Sequence, residues 1–102
     1  MIYADSAACQ KQLNDIEAID YFLASQITKE LDLQEEAVLF HLLVALQWAL
    51  RQGHSCLPLL EVAEKTFWAD EDNNQPGYVF SSLETIHQCL KALAISIEDN
   101  AL

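Results

Sequence analysis

Two pairs of residues in this 102-residue chain could do chemistry. One is His54 and Cys56, in the run His54-Ser55-Cys56. The other is His87 and Cys89, in His87-Gln88-Cys89. Two imidazoles and two thiols are in principle a zinc donor set. The spacing argues against it, because zinc sites favour cysteine pairs two to four residues apart and this chain has none. On a helix, His87 and Cys89 point away from each other. A thiol nucleophile needs a histidine and an orienting group in one cleft. Cys56 beside His54 is the only candidate, and an i, i+2 pair in extended chain faces opposite ways. Cys56 and Cys89 therefore read as small core residues, and His54 as a turn residue. Asp70, Asp72 and Asn74 resemble the opening of a calcium loop. Gln75 stands where that loop needs glycine, and Ser81 where it needs its bidentate glutamate, so the stretch reads as a solvated acidic loop. Sixteen Asp and Glu are too many to single out an acid–base pair. No GxxxxGK[ST] or GxGxxG run is present to cradle phosphate. No catalytic, cofactor or metal residue is assigned.

The elements that would position these residues are helices around one apolar rod. Ala37 to Leu50, AVLFHLLVALQWAL, is interrupted only by His41 and Gln47. A helix apolar nearly all round is buried on every side or spans a membrane, and spanning takes about 20 residues. This run is shorter, so it predicts the central helix of a soluble bundle, over about 33–52. Asp32 would cap it, with Glu35 completing a capping box. Gly53 stands where the residue after a helix takes positive φ. Ahead of the rod, Ile16, Ile19, Phe22, Leu23 and Ile27 recur at helical spacing. They predict an amphipathic helix over about 15–29, capped by Asn14 or Asp15, with its apolar stripe on the rod. Residues 1–12 read as a loose arm or short helix. Behind the rod, His54 to Leu57 reads as a short extended strand. Pro58 suits the first position of a third helix reaching Phe67. Ala69 to Gly77, ADEDNNQPG, is a loop. Ser81 with Glu84 predicts a second capping box and a fourth helix to about Ala94. Ile95 to Leu102 alternates like a strand without a partner, which reads as a piece of a longer protein. The expected fold class is mainly α: a small orthogonal helical bundle of four to five helices around the central one, with one short strand near 54–57. Residues 1–102 are the size of a single domain with one core.

Sixteen acids against five Lys and Arg leave a net charge of −11. Nucleic-acid affinity comes largely from neutralising phosphates. Lys11, Lys29, Arg51, Lys65 and Lys91 are scattered along the chain, so direct nucleic-acid binding is not expected and a basic protein partner suits the charge better. A helix-turn-helix module built on 58–67 is the competing reading, although its helix would set Lys65 against Glu61 and Glu64. A small metal or thiol enzyme using Cys56, His54 or His87 is a third. Residues 1–10 lack the basic start and apolar core of a secretory signal. Three cysteines suit free thiols in a reducing cytoplasm. Phe67, Trp68 and Tyr78 flank the acidic loop and are candidate partner contacts, since exposed aromatics anchor interfaces.

One segment carries a family resemblance. Gly53 to Leu59, GHSCLPL, following an apolar helix, resembles the GH-x-CLPL run in the N-terminal region of RecD, the alpha chain of exodeoxyribonuclease V, the RecBCD helicase–nuclease. Ala18-Ile19-Asp20-Tyr21-Phe22 is similar to that family's early hydrophobic–Asp segment. Gln88-Cys89-Leu90 is similar to its Glu-Cys-Leu on the last helix of the region. In order and spacing the resemblance spans about Ile16 to Ile97; the first dozen residues and the acidic loop have no clear counterpart in it. It implies a non-catalytic, mostly helical assembly domain that docks RecD onto RecC, and through it RecB, for double-strand-break repair and recombination. It implies that ATP and magnesium belong to a helicase motor outside this stretch. Within the stretch it implies no cofactor; the charge balance and the short apolar run separately argue against direct nucleic-acid contact and against a membrane. Gly53, His54, Cys56, Leu57, Pro58 and Leu59 are then a structural corner. A domain separated from its motor would also be expected to expose a patch and self-associate through it.

Overall fold

Burying the apolar rod organises the fold. The computed structural model describes residues 3–33, 36–54 and 57–99, with 92–99 as backbone alone. The first helix, α1, is Ser6–Gln12. Asp5 caps it by accepting from the Ala8 N–H at 2.9 Å, and Cys9 enters the core. Helix α2 is Ala18–Glu30, and the rod itself is α3, Ala37–Arg51. Leu39, Phe40, His41, Leu42, Val44, Ala45 and Ala49 of α3 are all buried. Its N-cap is Glu36, in place of the expected Asp32, which takes a φ of +57 in the preceding turn. Glu35 lies outside the described residues. The C-terminal end matches expectation. Gly53 has a φ of +92; its N–H donates to the Leu50 carbonyl at 3.1 Å, and the His54 N–H donates to that of Ala49 at 3.0 Å. This paired pattern satisfies carbonyls that the last helical turn leaves open.

Helices α2 and α3 form an antiparallel hairpin: Arg51, at the end of α3, reaches Asp20 in the first turn of α2. The cap of α2 is Glu17, not Asn14 or Asp15, and its N–H donates to Asp20 Oδ2 at 2.9 Å. The helix is rotated relative to expectation. Its buried residues are Asp20, Tyr21, Ala24 and Thr28, while Ile19, Phe22, Leu23 and Ile27 are exposed. Of the expected stripe only Ile16, ahead of the helix, is buried. Each polar residue on the inner face has a partner there. Thr28 Oγ1 donates back to the Ala24 carbonyl at 2.9 Å, and Asp20 is paired with Arg51. Tyr21 meets Phe40 edge-on, with ring centroids 6.0 Å apart.

After the corner the chain departs further from expectation. Helix α4 is one turn, Leu59–Val62, with Pro58 as its cap residue. Glu64 takes a φ of +61, and Thr66–Phe67 is a strand, β1. It pairs antiparallel with β2, Tyr78–Val79, in the register Thr66↔Val79 and Phe67↔Tyr78. The described strands are therefore here; of the strand expected near 54–57, His54 and Leu57 belong to none, and residues 55 and 56 lie outside the described residues. Among the described residues of 57–67 the helix is only the turn Leu59–Val62, too short for the recognition helix of a helix-turn-helix. Between the strands, Asp70 and Gln75 form a bridge, and Glu71–Asn73 is a 3-10 turn ended by Asn74 at φ +56. Gly77, at φ +72, passes so close to the Phe67 carbonyl and to Ala69 that a Cβ would stand 2.8 Å from the Ala69 nitrogen. Helix α5, Leu83–Asp99, follows Ser82, whose Oγ accepts from the Thr85 N–H at 3.3 Å. The cap thus falls one residue after Ser81, and the helix runs through 95–99, where a strand was expected. The core joins α1, the hairpin, α4, the strand pair and α5 through residues that include Cys9, Ala45, Val62, Phe80 and Ile86.

Candidate functional site

The corner motif lines a cleft. Gly53 ends α3, Pro58 leads into α4, and Leu57 and Leu59 pack half-buried against the core. With Trp48, Phe67 and Glu61, the side chains of His54, Leu57 and Pro58 border about 210 Å³ of open space. Cys56 lies outside the described residues, so its expected core position is not seen. His54 and His87 are exposed. Cys89 is half-buried and lines a different cleft, with Leu33, Val38 and Leu39. Among the described residues, no three of His, Cys, Asp or Glu converge as a metal site. Both described thiols are held in their protonated form. Burial, helped by the nearby charge of Asp20, pushes Cys9 up to about 12, and burial with Glu36 raises Cys89. Thiol chemistry requires the thiolate, so neither is an activated nucleophile.

The three aromatics expected at the surface fare differently. Trp68 is 7% exposed, edge-on to Trp48, Phe67 and Phe80. It is a core residue and offers no surface, because the turn at Ala63–Lys65 carries β1 inward instead of continuing a helix. Phe67 and Tyr78 are half-buried opposite each other in the strand pair. Tyr78 lies flat on the His41 ring, with centroids 3.5 Å apart and planes 6° apart. His41 is the titratable residue that sequence reasoning passed over, although it is the one ionisable side chain in the apolar rod. Its Nδ1 is 2.7 Å from the Ala37 carbonyl, which only accepts, so Nδ1 carries the proton. Nε2 then accepts from the Tyr3 hydroxyl at 2.7 Å. Burial lowers the His41 pKa to about 4, against the opposing bond to Ala37, and burial also keeps the Tyr3 hydroxyl protonated.

A second polar cluster fastens the open end of the hairpin. Asp20 Oδ2 accepts from Arg51 at 2.8 Å and from the Glu17 N–H at 2.9 Å. Arg51 also donates to the Asp15 carbonyl and stands 3.6 Å from Glu17. Asp15 Oδ2 accepts from the Trp48 indole at 2.9 Å and from Gln52 at 3.0 Å. These bonds hold the start of α2 to the end of α3, so their chemistry is structural.

The outer side of the hairpin is the feature without a structural account. Ile19, Phe22, Leu23 and Ile27 of α2 are exposed at helical spacing, and Leu46 and Leu50 of α3 are exposed one turn apart. Phe22 keeps 56% of its surface in contact with water. Single exposed apolar residues are ordinary, whereas stripes on two packed helices mark an interaction surface. The sequence carries a signal for this face, since the stripe repeats at helical spacing, but periodicity alone puts it on the inner side of the helix.

Comparison with known families decides the relationship. The family model described as RecBCD enzyme subunit RecD, N-terminal domain, matches residues 12–99. The chain belongs to this family. No curated protein and no solved structure matches it. The matched RecD span takes in α2 through α5, and with them the hairpin, the corner and the strand pair. It also includes the acidic loop, for which the resemblance in sequence had no counterpart. Helix α1 up to Lys11 lies ahead of the RecD match. Among the described residues no helix is long and apolar enough to cross a membrane.

Proposed function

We propose that this RecD N-terminal domain is a non-catalytic docking module that joins the RecD chain to its partner subunits in the RecBCD enzyme, RecC first. The observation that carries this reading is the pair of apolar stripes left in water on the α2–α3 hairpin. A domain with a complete core gains nothing from exposing them unless another surface covers them. The family description, which names a subunit of a multi-chain enzyme, supports the same reading. The domain's part in double-strand-break repair and recombination is then exercised through the assembled cytoplasmic enzyme. ATP and magnesium are the concern of the helicase motor. Binding of RecC to this chain in a pull-down is the direct test. Capture at micromolar concentration is expected, with loss for the pair Phe22→Glu and Leu46→Glu; no capture by the unaltered chain rejects the reading.

A further inference from the structure

We propose that the outer face of the α2–α3 hairpin receives one amphipathic helix of a partner subunit, apolar along one stripe and bordered by lysine and arginine. The proposal rests on the docking role above and specifies what docks. The two helices pack antiparallel, and a third helix laid along their exposed apolar residues would complete a helical layer with interaxial spacings of about 8–10 Å. Ile19, Phe22, Leu23 and Ile27 form one ridge, and Leu46 and Leu50 the other. From Ile19 to Ile27 the ridge is about 12 Å long at 1.5 Å per residue. That length matches roughly two turns of an incoming helix, with anchors spaced three and four residues apart.

Charge narrows the occupant. Among the described hairpin residues, Glu17, Glu30, Asp32 and Glu36 are exposed acids. The bases are Lys29 and Arg51, and Arg51 is engaged by Asp20 and Glu17. The whole chain carries −11. A second copy would bring the same acidic border and be repelled, as would an anionic lipid surface. An apolar stripe edged with cations meets both the greasy ridges and the acidic rim.

Photo-crosslinking in the assembled RecBCD enzyme tests this. A photoreactive benzoylphenylalanine replaces Phe22 in the complete RecD chain, and in a second chain it replaces Leu60, an exposed residue on α4. Phe22 is expected to trap one helical segment of another subunit with Lys and Arg along its borders, and Leu60 is expected not to trap that segment. The double variant Glu30→Lys and Asp32→Asn, at exposed acids outside the Asp20–Arg51 cluster, is expected to slow association at least fivefold at low salt and to leave thermal unfolding unchanged. Crosslinking of Phe22 to a second copy, to lipid or to an acidic segment overturns the proposal. So does assembly with no crosslink from Phe22, which leaves the docking role standing. Failure of the unaltered chain to assemble removes both.

Discussion

Asp20 has no exposed surface, and its burial is tolerable because Arg51 comes to meet it. Removing one partner of such a pair strands the other charge, at a cost of about 3 kcal/mol. Arg51→Met is therefore expected to lower urea stability by about that amount. Adding Asp20→Asn should restore part of the loss, and a change below about 0.5 kcal/mol would show the pair to be idle. The two glycines separate in the same experiment. Gly53→Ala has open space around it and is strained only by its positive φ, for a loss of about 1 kcal/mol. Gly77→Ala meets the Phe67 carbonyl and Ala69 backbone as well, and should cost at least twice as much. His41 makes a pH prediction. Its pKa is about 4 when folded against 6.5 when free, so between those values the unfolded chain holds the extra proton. The stability it contributes is complete above pH 6.5 and is lost as pH falls toward 4, by at most about 3 kcal/mol. NMR titration of the ring should place its midpoint near 4, and a midpoint above 6 would contradict the buried Tyr3–His41–Ala37 chain of bonds.

Elements were legible where composition and termination agreed. The rod predicts α3 because the fifteen residues Ala37–Arg51 contain no Gly or Pro and Gly53 follows just after them, and a glycine after a helix has few other uses. The corner at Pro58 was legible for the same kind of reason. Helix α2 existed as expected but faced the other way. Periodicity reports that a stripe exists, and the assumption that it points inward fails when the opposite face can be buried more closely. Here Ala24 lets α2 approach its neighbours, and Thr28 and Asp20 bring their own partners. The consequence is measurable. Phe22→Gln and Ile27→Gln should move the unfolding midpoint by no more than about 0.5 kcal/mol equivalent, as surface changes do. Ala24→Leu, the change that a hydrophobicity scale favours, should cost about 1–3 kcal/mol by overpacking. The strands at 66–67 and 78–79 were hidden because each is two residues long, too short for alternation to register. The candidate site is half legible: spacing picks out Ile19, Phe22, Leu23 and Ile27, but spacing alone assigns them to the core.

On the scale of the whole molecule, the charge of −11 acts on every encounter. Association with a basic partner should slow about tenfold or more between 50 and 500 mM salt, because exposed charges beyond a few ångströms are screened there. Stopped-flow mixing across that range tests it, and a salt-independent rate would show that the acidic rim plays no part in steering. The molecule is also laced from end to end. The Gln75 side chain donates to the Gln10 carbonyl at 2.8 Å, the Gly77 N–H to that of Gln12 at 2.8 Å, and the Asn14 N–H to that of Trp68 at 2.7 Å. The first helix and the turn after it thus take hydrogen-bond partners from residues more than fifty positions downstream. A nascent chain can lay its first helix on α2 as that helix emerges from the ribosome, but it cannot close these three bonds until the strand pair has been synthesised. Until then the opening segment is held from one side only, and synthesis halted before Tyr78 should leave it more open to protease and to chaperone than in the finished chain.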